Sequence, residues 1–107
     1  MGVVKHGLSG HWLFHTWYMM LARCYNEQSK DYGRYGARGI RVCESWHELP
    51  IFISDIERLL GMRPEGTTLD RIDNDGDYEP GNVRWATAAE QAQNRRPPRI
   101  REVTNAG

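Results

Sequence analysis

Leu69-Asp70-Arg71-Ile72-Asp73-Asn74-Asp75-Gly76-Asp77-Tyr78-Glu79-Pro80-Gly81-Asn82-Val83-Arg84-Trp85 is the stretch that decides the fold. Leu69 to Ile72 alternates and predicts a short strand. Residues 73–81 are turn chemistry throughout, Asn-Asp-Gly followed by Pro-Gly. Asn82 to Trp85 alternates again, with Val83 and Trp85 on one side. Thr87-Ala88-Ala89-Glu90 then has the form of a capping box, in which a hydroxyl and a carboxylate satisfy each other's backbone N–H groups. A helix is therefore expected from there to Arg95 or Arg96, stopped by Pro97-Pro98. The unit reads strand, long turn, strand, helix.

The same stretch is rich in carboxylates: Asp70, Asp73, Asp75, Asp77 and Glu79. Oxygen ligands at this density suit a divalent cation, yet the spacing excludes a calcium hand. Counted from Asp73, Gly76 comes too early and the twelfth position is Arg84. For Asp73 to Asp77 the favoured reading is a turn whose short polar side chains hydrogen-bond the local backbone.

Working outward, Leu13, Trp17, Met20, Leu21 and Cys24 recur at helical spacing, widened by Trp12 and Phe14, and predict an amphipathic core helix over 11–26. Tyr32-Gly33-Arg34-Tyr35-Gly36-Ala37-Arg38-Gly39 follows, with glycines three apart. That is either a tight structural loop or a segment that offers arginine to phosphates and tyrosine to bases. Ile40-Arg41-Val42 alternates as a short strand. Pro50 fits the first turn of a second helix with Phe52, Ile53, Ile56, Leu59 and Leu60 as its apolar face, and Gly61 fits its C-terminal cap.

A chain of 107 residues with this pattern makes one α+β domain, assigned to residues 1–96, followed by a basic tail at 97–107 that is expected to be flexible. Mean hydropathy is −0.70, and aromatic residues supply much of the buried area that the 39% hydrophobic content leaves short. No apolar run approaches the ~18–20 residues of a membrane helix. The N-terminal Met1-Gly2-Val3-Val4-Lys5-His6 lacks the apolar core of a secretory signal, so no membrane partner and an intracellular location are expected.

Formal net charge is zero, but the charge is unevenly placed. Residues 23–41 carry five cations against Glu27 and Asp31, residues 44–79 carry ten acids against three arginines, and residues 84–101 carry five arginines against Glu90. Arginine outnumbers lysine twelve to two, and arginine is the side chain that forks onto phosphates and stacks on bases. Two basic flanks around an acidic centre suit a polyanion-binding surface, with Arg34, Arg38, Arg95, Arg96 and Arg99 as candidate nucleic-acid contacts; ordinary surface charge is the other reading. Cys24 and Cys43 are read as buried free thiols or as zinc ligands completed by His11, His15 or His47.

Taken together, Trp17…Met20…Arg23-Cys24-Tyr25, Tyr32…Tyr35-Gly36…Arg38-Gly39-Ile40…Cys43…Trp46, Leu69 to Asn74 with Gly76, and Asn82…Arg84-Trp85-Ala86-Thr87…Glu90-Gln91…Asn94-Arg95-Arg96 resemble a family of small phage- and bacterium-encoded proteins related to HNH nucleases. The resemblance implies a ββα-metal finger in the C-terminal third, packed on N-terminal helices and a short strand. It places Asp70 at the first metal-ligand position, Arg71 at the general-base position, Asn82 as the orienting residue, and Gln91 or Asn94 as the helix ligand for Mg²⁺ or Mn²⁺. Arg71 departs from the pattern because a guanidinium cannot accept a proton near neutrality. Without a histidine brought in from elsewhere, Arg71 would hold a phosphate electrostatically. The implied function is a DNA-binding protein on an HNH scaffold in the cytoplasm of a phage's bacterial host. Three activities are compatible with it: a metal-dependent endonuclease hydrolysing phosphodiesters, a catalytically inactive DNA-binding regulator, or a phage protein-interaction or inhibitor module.

Overall fold

Alternation at the two ends of the acidic turn becomes a two-stranded antiparallel sheet, β1 (Thr67–Arg71) and β2 (Val83–Thr87). In the computed structural model the described residues are 8–95; Arg96, Arg99 and the expected tail at 97–107 lie outside them. The register pairs Leu69 with Trp85, Asp70 with Arg84, and Arg71 with Val83. Along β1 the buried side chains are Thr67, Leu69 and Arg71, so period-two alternation carries Arg71 to the core face and leaves Ile72 exposed just past the strand end.

The capping box forms as expected. Thr87 N–H donates to Glu90 Oε1 at 2.8 Å, and Glu90 N–H donates to Thr87 Oγ1 at 3.1 Å, so α3 (Ala88–Arg95) starts directly off the end of β2.

Two helices precede the sheet. α1 (Phe14–Tyr25) buries Met20 and Cys24, and its entry is fixed by Leu13 N–H donating to His11 Nδ1 at 3.1 Å. α2 (Leu49–Leu59) has Pro50 in its first turn and buries Leu49, Phe52, Ile53 and Ile56. Gly61, at φ 73°, ends α2 in the left-handed conformation that glycine adopts at least cost. Trp46 is the hub between the two helices. It is fully buried, stands edge-on to Phe52, donates its Nε1–H to Asp55 Oδ2 at 2.8 Å, and accepts at its carbonyl from Trp17 Nε1–H at 2.8 Å.

The segment between α1 and α2 differs from the reading of Ile40-Arg41-Val42 as a strand. Only Val42 pairs, in a single parallel bridge to Tyr78, because the strip is pinned instead by Cys43 N–H to the Tyr78 carbonyl and Tyr78 N–H to the Arg41 carbonyl. Tyr32–Arg34 and Gly36–Arg38 are two short 3-10 turns. Gly36 is required there by contact: a Cβ on it would lie 2.3 Å from the Cys24 carbonyl oxygen. The architecture is α+β, with α1, α2 and the inner face of the sheet enclosing one core.

Candidate functional site

The loop from Asp73 to Gly81 is held by two residues from its rims. Asn82, at the start of the return strand, accepts from Asp73 N–H at 2.8 Å and donates to the carbonyls of Asp77 (2.8 Å) and Asp73 (3.3 Å). Its partners are thus the loop backbone rather than a catalytic side chain.

Arg71 is 4% exposed and lies beneath the loop. Its Nη1 donates to the carbonyls of Asn74 and of Gly76, the latter at 2.9 Å. Its guanidinium carbon stands 5.0 Å from the Tyr35 ring centroid and 5.6 Å from that of Tyr78, two rings that stack on one another. Carbonyl oxygens and aromatic faces therefore supply the compensation that a buried cation needs. The same burial pushes the Tyr78 hydroxyl well above its ordinary pKa. The placement of Arg71 as a phosphate holder is corrected accordingly: the side chain points into the core because it shares a strand face with Leu69.

The loop acids do the local work expected of an Asp-rich turn. Asp73 Oδ1 accepts from Asp75 N–H at 3.0 Å, and Asp77 Oδ1 accepts from Arg41 N–H at 2.9 Å. Arg38 reaches in from the second 3-10 turn, donating to Asp75 Oδ1 at 2.6 Å and Asn74 Oδ1 at 3.2 Å. One candidate nucleic-acid contact is thereby committed to the acidic loop. Arg34 is exposed, and Arg95 is the last residue of α3.

Asp70, the expected metal ligand, projects from the outer face of β1 toward its cross-strand partner. Its Oδ2 accepts from Arg84 Nε at 3.1 Å and Nη2 at 3.0 Å, and its side chain is only 13% exposed. The two expected helix ligands turn their amide nitrogens to acceptors. Asn94 Nδ2 donates to the Arg71 carbonyl at 2.8 Å; Gln91 Nε2 donates to Thr68 Oγ1 at 2.6 Å and the Ala86 carbonyl at 3.0 Å. A divalent cation of the Mg²⁺ class needs several converging oxygens. Asp70 brings one carboxylate whose Oδ2 is already paired with a guanidinium, and Asn94 and Gln91 would bring neutral amide oxygens, a sparse set for such a cation. Among the described residues no three His, Cys, Asp or Glu side chains are grouped to hold an ion.

Cys24 and Cys43 are both free thiols, and neither belongs to such a group among the described residues. Cys24 lies in the core, where burial pushes its thiol up to about 11. Cys43 is partly exposed and 3.7 Å from Ser45 Oγ. His11 pairs with Glu57 at 3.5 Å, His47 contacts the Val42 carbonyl at 3.2 Å, and His15 is exposed on α1. None of these three is hydrogen-bonded or ion-paired with Asp70.

Among the described residues, two surface clefts bear on the site. One, of about 400 Å³, is lined by Tyr25, Arg41, Val42, Glu44, His47 and Glu48. The other, of about 280 Å³, lies between β2 and α3 and is lined by Arg84, Glu90, Gln93 and Asn94. Hydrogen bonds from the Thr87 backbone and hydroxyl hold the Glu90 carboxyl below its ordinary pKa, so this second cleft carries a fixed negative charge beside Arg84. Sequence reasoning missed Arg84. The signal was the antiparallel register itself, which sets Arg84 opposite Asp70.

Comparison with protein-family models, with curated proteins and with solved structures finds no match.

Proposed function

We propose that the chain is a nucleic-acid-binding protein on an HNH-nuclease-like scaffold, and that it binds without hydrolysing the strand. The observation that carries this reading is the burial of Arg71, a guanidinium at the position where hydrolysis would need a base. Arg71 is engaged by loop carbonyls and rings, Asp70 Oδ2 is paired with Arg84, and the Asn94 amide nitrogen donates to the Arg71 carbonyl. Phosphodiester hydrolysis needs a cation on the phosphate and a base on the water, and the guanidinium at position 71 cannot be that base.

Support for binding comes from the strand, loop, strand, helix order, which agrees with the HNH resemblance, and from arginines outside the acidic segment. The ββα unit acts in this reading as a rigid platform, with the loop closed from within by Asn82 and Arg71.

The test is fluorescence anisotropy with duplex DNA across a salt series. For each phosphate neutralised, log K should fall with log salt by roughly 0.9. Replacing Arg95 and Arg96 together should lower both affinity and slope. Binding that ignores salt, or its absence at low salt, overturns the reading.

A further inference from the structure

The geometry points to a subsite for an unpaired guanine base in the cleft between β2 and α3, read by Arg84 and Glu90. This inference rests on the nucleic-acid-binding reading and names which part of the ligand that surface recognises.

Arg84 is held as a fixed donor. Its Nε and Nη2 are spent on Asp70, and Nη2 also approaches the Glu90 carbonyl at 3.4 Å. Nη1 has no hydrogen bond to the protein among the described residues, and Arg84 lines the cleft. A guanidinium locked on two of its nitrogens presents the third with little rotamer entropy left to lose.

Glu90 supplies the acceptor. Its Oε1 takes the Thr87 N–H, and a carboxylate retains further lone-pair capacity at both oxygens. Asn94, tied through Nδ2 to the Arg71 carbonyl, and the exposed Gln93 form the rest of the wall.

Charge decides between a phosphate and a base. Asp70 balances Arg84, and Glu90 adds a negative charge, so the cleft repels an anion. A neutral edge carrying both donors and acceptors suits it better. Guanine is the base whose Watson–Crick edge sets an acceptor, O6, beside two adjacent donors, N1–H and N2–H₂. The acceptor meets Arg84 and the paired donors meet Glu90, a three-point match where the other bases offer two. In a duplex that edge is occupied, so the base must be unpaired.

The experiment uses single strands of DNA and of RNA in which every position is abasic except one central base, read by anisotropy with the full chain. Guanine should bind roughly tenfold tighter than adenine, cytosine or thymine, the range of one well-placed base contact. On the wild type, 7-deazaguanine should match guanine, whereas inosine and O6-methylguanine should lose most of the preference. Arg84→Lys keeps the charge opposite Asp70 and Glu90→Gln keeps the capping box; each should abolish the preference for guanine, with circular dichroism confirming the fold. The DNA and RNA arms show which backbone carries the base. Equal binding of all four bases and the abasic strand overturns this inference while leaving nucleic-acid binding intact. No binding of any strand or of duplex DNA overturns both.

Discussion

Asn82 and Asp73, nine residues apart on opposite rims of the loop, exchange hydrogen bonds in both directions: Asp73 N–H donates to Asn82 Oδ1 at 2.8 Å, and Asn82 Nδ2 donates back to the Asp73 carbonyl at 3.3 Å. With the further bond to Asp77, one side chain fixes the start and middle of a turn that has no hydrophobic residue until Tyr78. Asn82→Ala removes all three bonds and leaves backbone groups of Asp73 and Asp77 without their partner. The expected cost is about 1–3 kcal/mol, a fall in Tm of roughly 5–15 °C for a domain of this size. A thermal melt unchanged from the wild type would show that the loop closes without Asn82.

Arg71 separates a structural role from a catalytic one. On resemblance alone, Arg71→His would restore a general base. In this structure it instead withdraws a buried cation from two carbonyls and two aromatic rings, and the expected result is a destabilisation of about 2–4 kcal/mol with no gain of cleavage. Denaturant unfolding followed by tryptophan fluorescence measures the first part, and plasmid nicking the second. A stable Arg71→His variant that nicks DNA would place the side chain wrongly.

Much of the fold was legible because its signals are local. The capping box at Thr87 and Glu90, Pro50 in the first turn of α2, Gly61 after it, and the two alternating segments around an Asp-Gly-rich turn each act within a few residues. Long-range features were less legible. Ile40-Arg41-Val42 alternates like a strand, yet only Val42 finds a partner, Tyr78, thirty-six residues on. The inward turn of Arg71 was present in the alternation with Leu69, but an arginine on a core face runs against hydropathy and reads as surface until Tyr35 and Tyr78 are seen beside it. The Asp70–Arg84 pair depends on register across the loop, which turn chemistry suggests and only the strand pairing fixes.

The two neighbouring glycines of the 32–39 segment should respond differently to alanine. At Gly36 an added Cβ meets the Cys24 carbonyl and the Tyr32 ring, each at 2.3 Å, and the carbonyl belongs to the last turn of α1. Gly36→Ala is expected to cost about 3 kcal/mol, near the top of the usual range for overpacking. Gly33 has open space at that position, and Gly33→Ala should change stability by less than ~0.5 kcal/mol. Equal Tm values for the two variants would contradict the close approach of the turn to α1.

Acid should weaken the contact between Trp46 and α2. The Asp55 carboxyl is held below its ordinary value, first by the hydrogen bond from Trp46 Nε1–H and then by Arg58. A depressed carboxyl contributes stability that is complete above the unfolded value of ~3.9 and is lost as pH falls through the lower folded value. Melts between pH 7 and pH 2 should therefore show a steeper acid loss for the wild type than for Asp55→Asn, which titrates no group there. Parallel curves for the two proteins would remove Asp55 from the acid response.

The central claim, binding without hydrolysis, is tested most directly on one agarose gel. Supercoiled plasmid is incubated with the chain and with Asp70→Ala, each in EDTA, in Mg²⁺ and in Mn²⁺, so that retardation reports binding and the nicked form reports cleavage. The expected result is retardation by the wild type in all three conditions, weakened by salt, with no nicked product. Nicking by the wild type that needs the metal and disappears in Asp70→Ala would contradict it, because Asp70 would then be holding a catalytic cation rather than serving only as the partner of Arg84.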